Sequence, residues 1–219
     1  MDHRKVTLSS FALKLIAVAA MLIDHMGYVL FPQYPVMRVI GRLAFPIYCF
    51  LIAEGAAHTS NWKKYGLRLL IFAVISEIPF DLAFNNRLID WSYQNVFWTL
   101  LLGLLTIELY EKKNYLAYAG IVVLVLLGNI LGTDYGSEGV LLVFIIHVVK
   151  KDDFRWAAFI IAVWCLCFGG TERWGAFSAI FILLYNGKRG LNTPAVKYGF
   201  YGFYPIHLLV LYAVAVAWV

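Results

Sequence analysis

Nine apolar runs joined by short connections leave this chain one kind of fold. The runs cover roughly residues 11–31, 36–57, 65–84, 95–110, 115–131, 136–149, 154–169, 174–186 and 198–218. Of the 219 residues, 62% are hydrophobic and 14% are charged, whereas soluble domains carry about a quarter charged residues. A water-soluble globule is therefore excluded. In hydrocarbon each backbone N–H and C=O must be satisfied inside the protein, which makes helices the expected form of such runs. The expectation is an all-α polytopic transmembrane helical bundle of about nine spans, a single domain over 1–219. Run six has about 14 residues and run eight about 13, short of the ~20 of a straight span. Both are expected to be tilted or enclosed by neighbours.

The formal charge of +5 is topological and not a sign of nucleic-acid binding. Arg4, Lys5 and Lys14 precede or open run one, and Lys63, Lys64 and Arg68 lie between runs two and three. Lys112 and Lys113 follow run four. Lys150, Lys151 and Arg155 follow run six, and Lys188, Arg189 and Lys197 follow run eight. That places fourteen of the eighteen basic residues on alternate connections, leaving Arg38, Arg42, Arg87 and Arg173 for the other side. The positive-inside rule then puts the N-terminus in the cytoplasm and the C-terminus outside, in a multi-pass protein of the cytoplasmic membrane. Met1 to Ser10 is polar and does not end in a small-residue cleavage site, so run one reads as a retained anchor. Cys49, Cys165 and Cys167 all lie in apolar runs, where neither a disulfide nor a metal site is expected.

Against this background the ionisable residues inside the runs stand out, because each costs several kcal/mol unless it finds a partner. Asp24 and His25 sit in the outer half of run one. His25 lies eleven residues beyond Lys14, three helical turns and ~16 Å along the same face. Arg38 and Arg42 open run two with i,i+4 spacing. Glu77 and Asp81 repeat that spacing in run three around Pro79, which is expected to kink its helix. Asn95 opens run four. Three carboxylates, two guanidiniums and an imidazole thus fall at one depth, and a polar cavity opening outward is expected. A histidine beside carboxylates is general-base equipment. Asp24 points ~100° away from His25 around the helix, so Glu77 or Asp81 is expected to orient the imidazole and Asp24 to pair with Arg42. Glu54 and His58 end run two on the inner side, near Lys63, Lys64 and Arg68, a cluster suited to the phosphates of an anionic nucleotide. His207 near the C-terminus either faces the cavity or satisfies a backbone partner. Metal-ligand spacings, a Gly-rich phosphate loop and a Gly-x-Ser-x-Gly nucleophile are all absent from the sequence.

These residues also carry a resemblance. Leu22-Ile23-Asp24-His25, Arg38-Val39-Ile40-Gly41-Arg42-Leu43-Ala44-Phe45-Pro46, Glu54-Gly55, His58-Thr59 and Ile78-Pro79-Phe80-Asp81-Leu82 resemble the TraX family. So do Asn95-Val96-Phe97 and Phe203-Tyr204-Pro205-Ile206-His207-Leu208, and the likeness runs through nearly the whole chain. TraX proteins include the acetyltransferase that modifies the N-terminus of F-type pilin in conjugation. They look related to acyltransferase-3 type membrane enzymes with an Arg-x10-His motif, written here as Lys14-x10-His25. The resemblance implies an enzyme that takes acetyl-CoA from the cytoplasm, without a metal. His25, Asp24, Glu77 and Asp81 would be catalytic; Lys14, Lys63, Lys64, Arg68 and Arg42 would bind the acyl-CoA; Arg38, Glu54, Asn95 and His207 would bind the acceptor. The acceptor at the outer face would be a pilin-like protein, a glycan or a lipid. Intramembrane His and Asp also suit a proton-coupled transporter, and a structural subunit of a secretion machine is a third possibility. The lack of internal repeats weighs against the transporter.

Overall fold

The computed structural model describes residues 7–151 and 153–218, so Arg4 and Lys5 of the topological count lie outside the described residues. Apolar runs become helices throughout, and among the described residues no strand longer than an isolated bridge forms. The elements are α1 (Ser10–Val29), α2 (Pro35–Gly41), α3 (Ala44–His58), α4 (Trp62–Asn85), α5 (Val96–Tyr110), α6 (Tyr115–Ile130), α7 (Gly136–Val149) and α8 (Phe154–Phe168). A 3-10 turn over Glu172–Phe177 then leads into α9 (Ser178–Leu183), and α10 (Pro194–Trp218) closes the chain. Run two is thus broken between α2 and α3, at Arg42 and Leu43. Run eight is half 3-10 turn and half short helix.

Polar residues set the helix boundaries. The side chains of Ser9, Asn61, Asn95, Asn114 and Asp153 each accept a backbone N–H in the first turn of α1, α4, α5, α6 and α8. That satisfies donors which a helix start otherwise leaves orphaned. At the far end of α4, Asn86 adopts a left-handed conformation (φ 53°) and stops the helix.

Among the described residues three stretches are long and apolar enough to cross a membrane: Ser10–Val29, Pro35–His58 and Pro194–Trp218. The helices Val96–Tyr110, Tyr115–Ile130, Gly136–Val149 and Phe154–Phe168 are apolar but shorter. The short helices α3 and α5 are the most deeply enclosed, with Ile47, Phe50, Leu104 and Ile107 almost wholly buried. The outer helices are inverted relative to a soluble protein. On α4, Leu67, Ile71, Val74 and Ile75 are exposed; so are Val122, Val123 and Leu126 on α6, and Phe159 and Leu166 on α8. Apolar faces of this extent need a nonaqueous cover, and in a chain of apolar helices that cover is lipid.

Contacts at the helix ends fall into two rims. At one rim the start of α1 is tied to the segment after α9: Leu8 N donates to Leu184 O at 2.7 Å and Ser10 N to Lys188 O at 2.9 Å. The same rim joins the ends of α3 and α7 through Lys150 and Glu54 (2.7 Å), and the ends of α5 and α7 through Lys151 and Glu111 (2.7 Å). At the other rim Gln94 N donates to Gly132 O at 2.8 Å, just before α5 and α7. Successive runs therefore alternate in direction, with the basic connections gathered at the first rim.

Candidate functional site

Among the described residues two cavities stand out in the bundle, one lined toward each rim. The cavity at the basic rim encloses about 350 Å³ and includes Lys14, Arg68, Arg189 and Lys197 in its wall. Arg68 stacks over Tyr65 (5.4 Å to the ring centre), and its Nε is buried with no hydrogen-bond partner among the described residues. The second cavity encloses about 760 Å³ and is lined by Asp24, His25, Arg38, Arg42 and Glu172, with Asp134, Glu138 and Trp164 contributed by later elements. Met21, Tyr48, Val96 and Tyr204 belong to both walls.

In the larger cavity Asp24 is the hub. Arg42 Nη2 donates to its Oδ1 at 2.6 Å, and Arg38 forms an ion pair with Oδ2. Arg42 reaches onward through Nη1 to Glu172 at 2.7 Å, and Arg38 packs over Tyr28 (5.1 Å). The short helix α2 makes this possible, because its i,i+4 arginines both face α1 and Gly41 lets the two backbones approach. In the loop before α7, the Asp134 carboxyl accepts the Tyr93 hydroxyl. Burial pushes that carboxyl up to about 6.

His25 stands beside this cluster without joining it. Its Nδ1 lies 2.7 Å from Nε2 of His207 on α10. Phe84 packs edge-on against its ring at 5.1 Å. His25 lines the cavity, whereas His207 is buried behind it.

Residues 9–215 match the sequence profile of the TraX protein family. The chain belongs to the TraX family. The probable fimbrial assembly protein FimC, serogroup H1, of Dichelobacter nodosus is 28% identical to it over 236 residues, covering 95% of this chain and 96% of that one. The uncharacterized protein RP591 of Rickettsia prowazekii (strain Madrid E) is 32% identical over 131 residues, 57% of this chain and 49% of its own. No solved structure matches.

In this TraX chain the expected residues separate into three places. Asp24, His25, Arg38 and Arg42 meet in the larger cavity. Glu77 and Asp81 do not meet His25. Glu77 turns to the start of α5, where it accepts the Trp98 indole N–H at 2.6 Å and the Asn95 backbone N–H at 3.3 Å. Asp81 accepts the Asp90 backbone N–H at 2.7 Å and so holds the loop after α4. The orienting carboxylate expected for His25 is replaced by an imidazole. Asn95 is fully enclosed as the cap of α5, donating to Ala73 O at 2.8 Å, and cannot reach an acceptor.

At the basic rim only some of the expected cations face the cavity. Lys63 and Lys64 are exposed on the first turn of α4, outside the cavity wall, while Lys14 and Arg68 line it. Arg189 and Lys197, which the sequence marks only as topological charge, line it too. Arg42 belongs to the opposite cavity and is occupied by two carboxylates, so it is not placed for CoA phosphates. Glu54 lines the basic cavity on the inner side, as its place at the end of run two implies, held by Lys150 (2.7 Å) and the Tyr185 hydroxyl (2.9 Å); it is not among the residues lining the larger cavity. Elements beyond the first four runs also supply the larger cavity: Asp134 from the loop before α7, Trp164 from α8 and Glu172 from the 3-10 turn.

Proposed function

We propose that this TraX chain is an integral membrane acetyltransferase, taking acetyl from CoA at the basic rim and passing it to an amine or hydroxyl in the larger cavity. In this reading the basic rim faces the cytoplasm and the chain sits in the cytoplasmic membrane, an orientation that the placement of its Lys and Arg residues supports. The observation that carries this reading is a pair of cavities whose linings share Met21, Tyr48, Val96 and Tyr204, with cations lining one and a histidine lining the other.

Lys14, Arg68, Arg189 and Lys197 attract phosphates at the cytoplasmic mouth, and the unpartnered Nε of Arg68 offers a buried donor. The pantetheine arm extends along α1, where Lys14 and His25 are ~16 Å apart, and brings the thioester to the shared wall. His25 removes the proton of the attacking amine or hydroxyl. The new C–N or C–O bond forms as the C–S bond breaks, and the proton passes to the departing CoA thiolate. The Asp24–Arg38–Arg42–Glu172 cluster shapes the acceptor side. A pilin-like protein is the favoured acceptor, given the fimbrial-assembly name of the Dichelobacter relative. The Lys14-x10-His25 spacing supports kinship with Arg-x10-His acyltransferases.

The test is direct. Purified protein in lipid is incubated with acetyl-labelled CoA and membranes containing pilin subunits, and acetylated product is sought by mass. A labelled product that requires the protein supports the reading, and labelled CoA consumed by no acceptor would contradict it.

A further inference from the structure

We propose that His207 is a positioning residue that fixes the tautomer of His25, leaving Nε2 of His25 as the bare, basic nitrogen at the cavity. Nδ1 of His207 lies 2.8 Å from the carbonyl oxygen of Phe203, one turn earlier on α10. A carbonyl only accepts, so the proton of this bond belongs to His207 Nδ1. In a neutral imidazole the other nitrogen is then an acceptor. That nitrogen, Nε2, lies 2.7 Å from His25 Nδ1, and His25 must supply the proton of the second bond. Its own Nε2 is left with a lone pair. The chain runs from the Phe203 carbonyl through His207 to His25 and ends at the cavity.

The surroundings favour two neutral rings over an imidazolium. The rings lie parallel within 6°. Phe203 stacks on His207 at 4.8 Å, and Phe84 and Tyr204 meet His25 edge-on. Among the described residues neither ring accepts or donates a hydrogen bond to a carboxylate, so a positive charge on either would be buried uncompensated. His207 lines neither cavity and acts only through His25. A second histidine here does what a carboxylate does elsewhere in orienting an imidazole, without bringing a charge into the membrane interior.

The kinetic consequence rests on the reading of His25 as the base; the tautomer itself does not. Histidine-labelled protein in lipid is therefore studied by 15N NMR at pH 8, with His207→Phe and His207→Gln beside the wild type. The expected spectrum has His25 protonated at Nδ1 and bare at Nε2, and wild-type His25 carrying its proton on Nε2 would overturn the proposal. In the acetyl-CoA assay His207→Phe is expected to lower kcat on the order of 10- to 100-fold, the range seen when groups orienting metal-bound imidazoles are lost, with KM for acetyl-CoA unchanged. The Gln carboxamide oxygen can stand where Nε2 stood and accept from His25, so His207→Gln should recover most of the loss. Equal kcat for wild type and His207→Phe, or a Gln variant no better than Phe, would also overturn it. A wild type that transfers no acetyl yet shows the Nδ1–H tautomer supports the assignment and sinks the transferase reading alone.

Discussion

The Asp24 carboxylate rests on the bare Cα of Gly41, where any side chain would overlap it. This contact lets α2 approach α1 closely enough for both of its arginines to reach one carboxylate. It also explains why Asp24 is tolerated at all, since a buried acid is stable here only when paired and hydrogen-bonded.

Gly41→Ala is therefore expected to push the carboxylate off its arginines and lower stability by about 1–3 kcal/mol through overpacking. Gly66→Ala on α4 is the control, because a Cβ there meets its nearest neighbour, Leu101, at an ordinary 3.8 Å. Thermal unfolding in detergent should show a clear drop for Gly41→Ala and none for Gly66→Ala. Equal melting of the two would refute the close approach.

Much of this cluster can be read from the sequence, and the reasons for the failures are specific. Asp24, Arg38 and Arg42 lie close in the chain and have helical spacing, so their meeting needs only one tight turn. Position along a run fixes depth, and Glu77 does lie toward the same rim as His25. Azimuth is set by packing: the face carrying Glu77 meets α5, where Asn95 and Trp98 offer donors. Likewise Lys63 and Arg68 share a side of the membrane but not a face of α4. His207 stands 182 positions from His25, and Glu172 reaches Arg42 over 130; no local pattern announces either pairing.

The cations of the basic cavity provide a second check. Charge-assisted hydrogen bonds contribute ~1.5–3 kcal/mol, so Lys14→Gln or Arg68→Gln should each raise the KM for acetyl-CoA about tenfold or more, with saturated turnover largely preserved. Lys63→Gln with Lys64→Gln should leave KM unchanged, since both lie outside the wall. Steady-state kinetics at varied acetyl-CoA separates the two sets, and a KM effect confined to the lysine pair would reverse the assignment.

The two rims make a topological prediction. In a protein whose Cys49, Cys165 and Cys167 have been replaced, Leu88→Cys on the exposed loop after α4 should react with an impermeant thiol reagent in intact cells. Lys112→Cys after α5 should react only once the membrane is opened. Both side chains are exposed, so burial does not confuse the comparison. Labelling of both from outside would contradict the alternation of the runs.

The central claim is that His25 takes the acceptor's proton, and the rate of acetyl transfer per folded molecule of His25→Ala tests it most directly. The variant is prepared alongside the wild type, matched for folding by melting temperature and for acetyl-CoA binding by equilibrium dialysis. Turnover is expected to fall at least ~100-fold through loss of the base, with acetyl-CoA still bound from the basic rim. A well-folded His25→Ala protein that transfers acetyl at the wild-type rate would contradict the account.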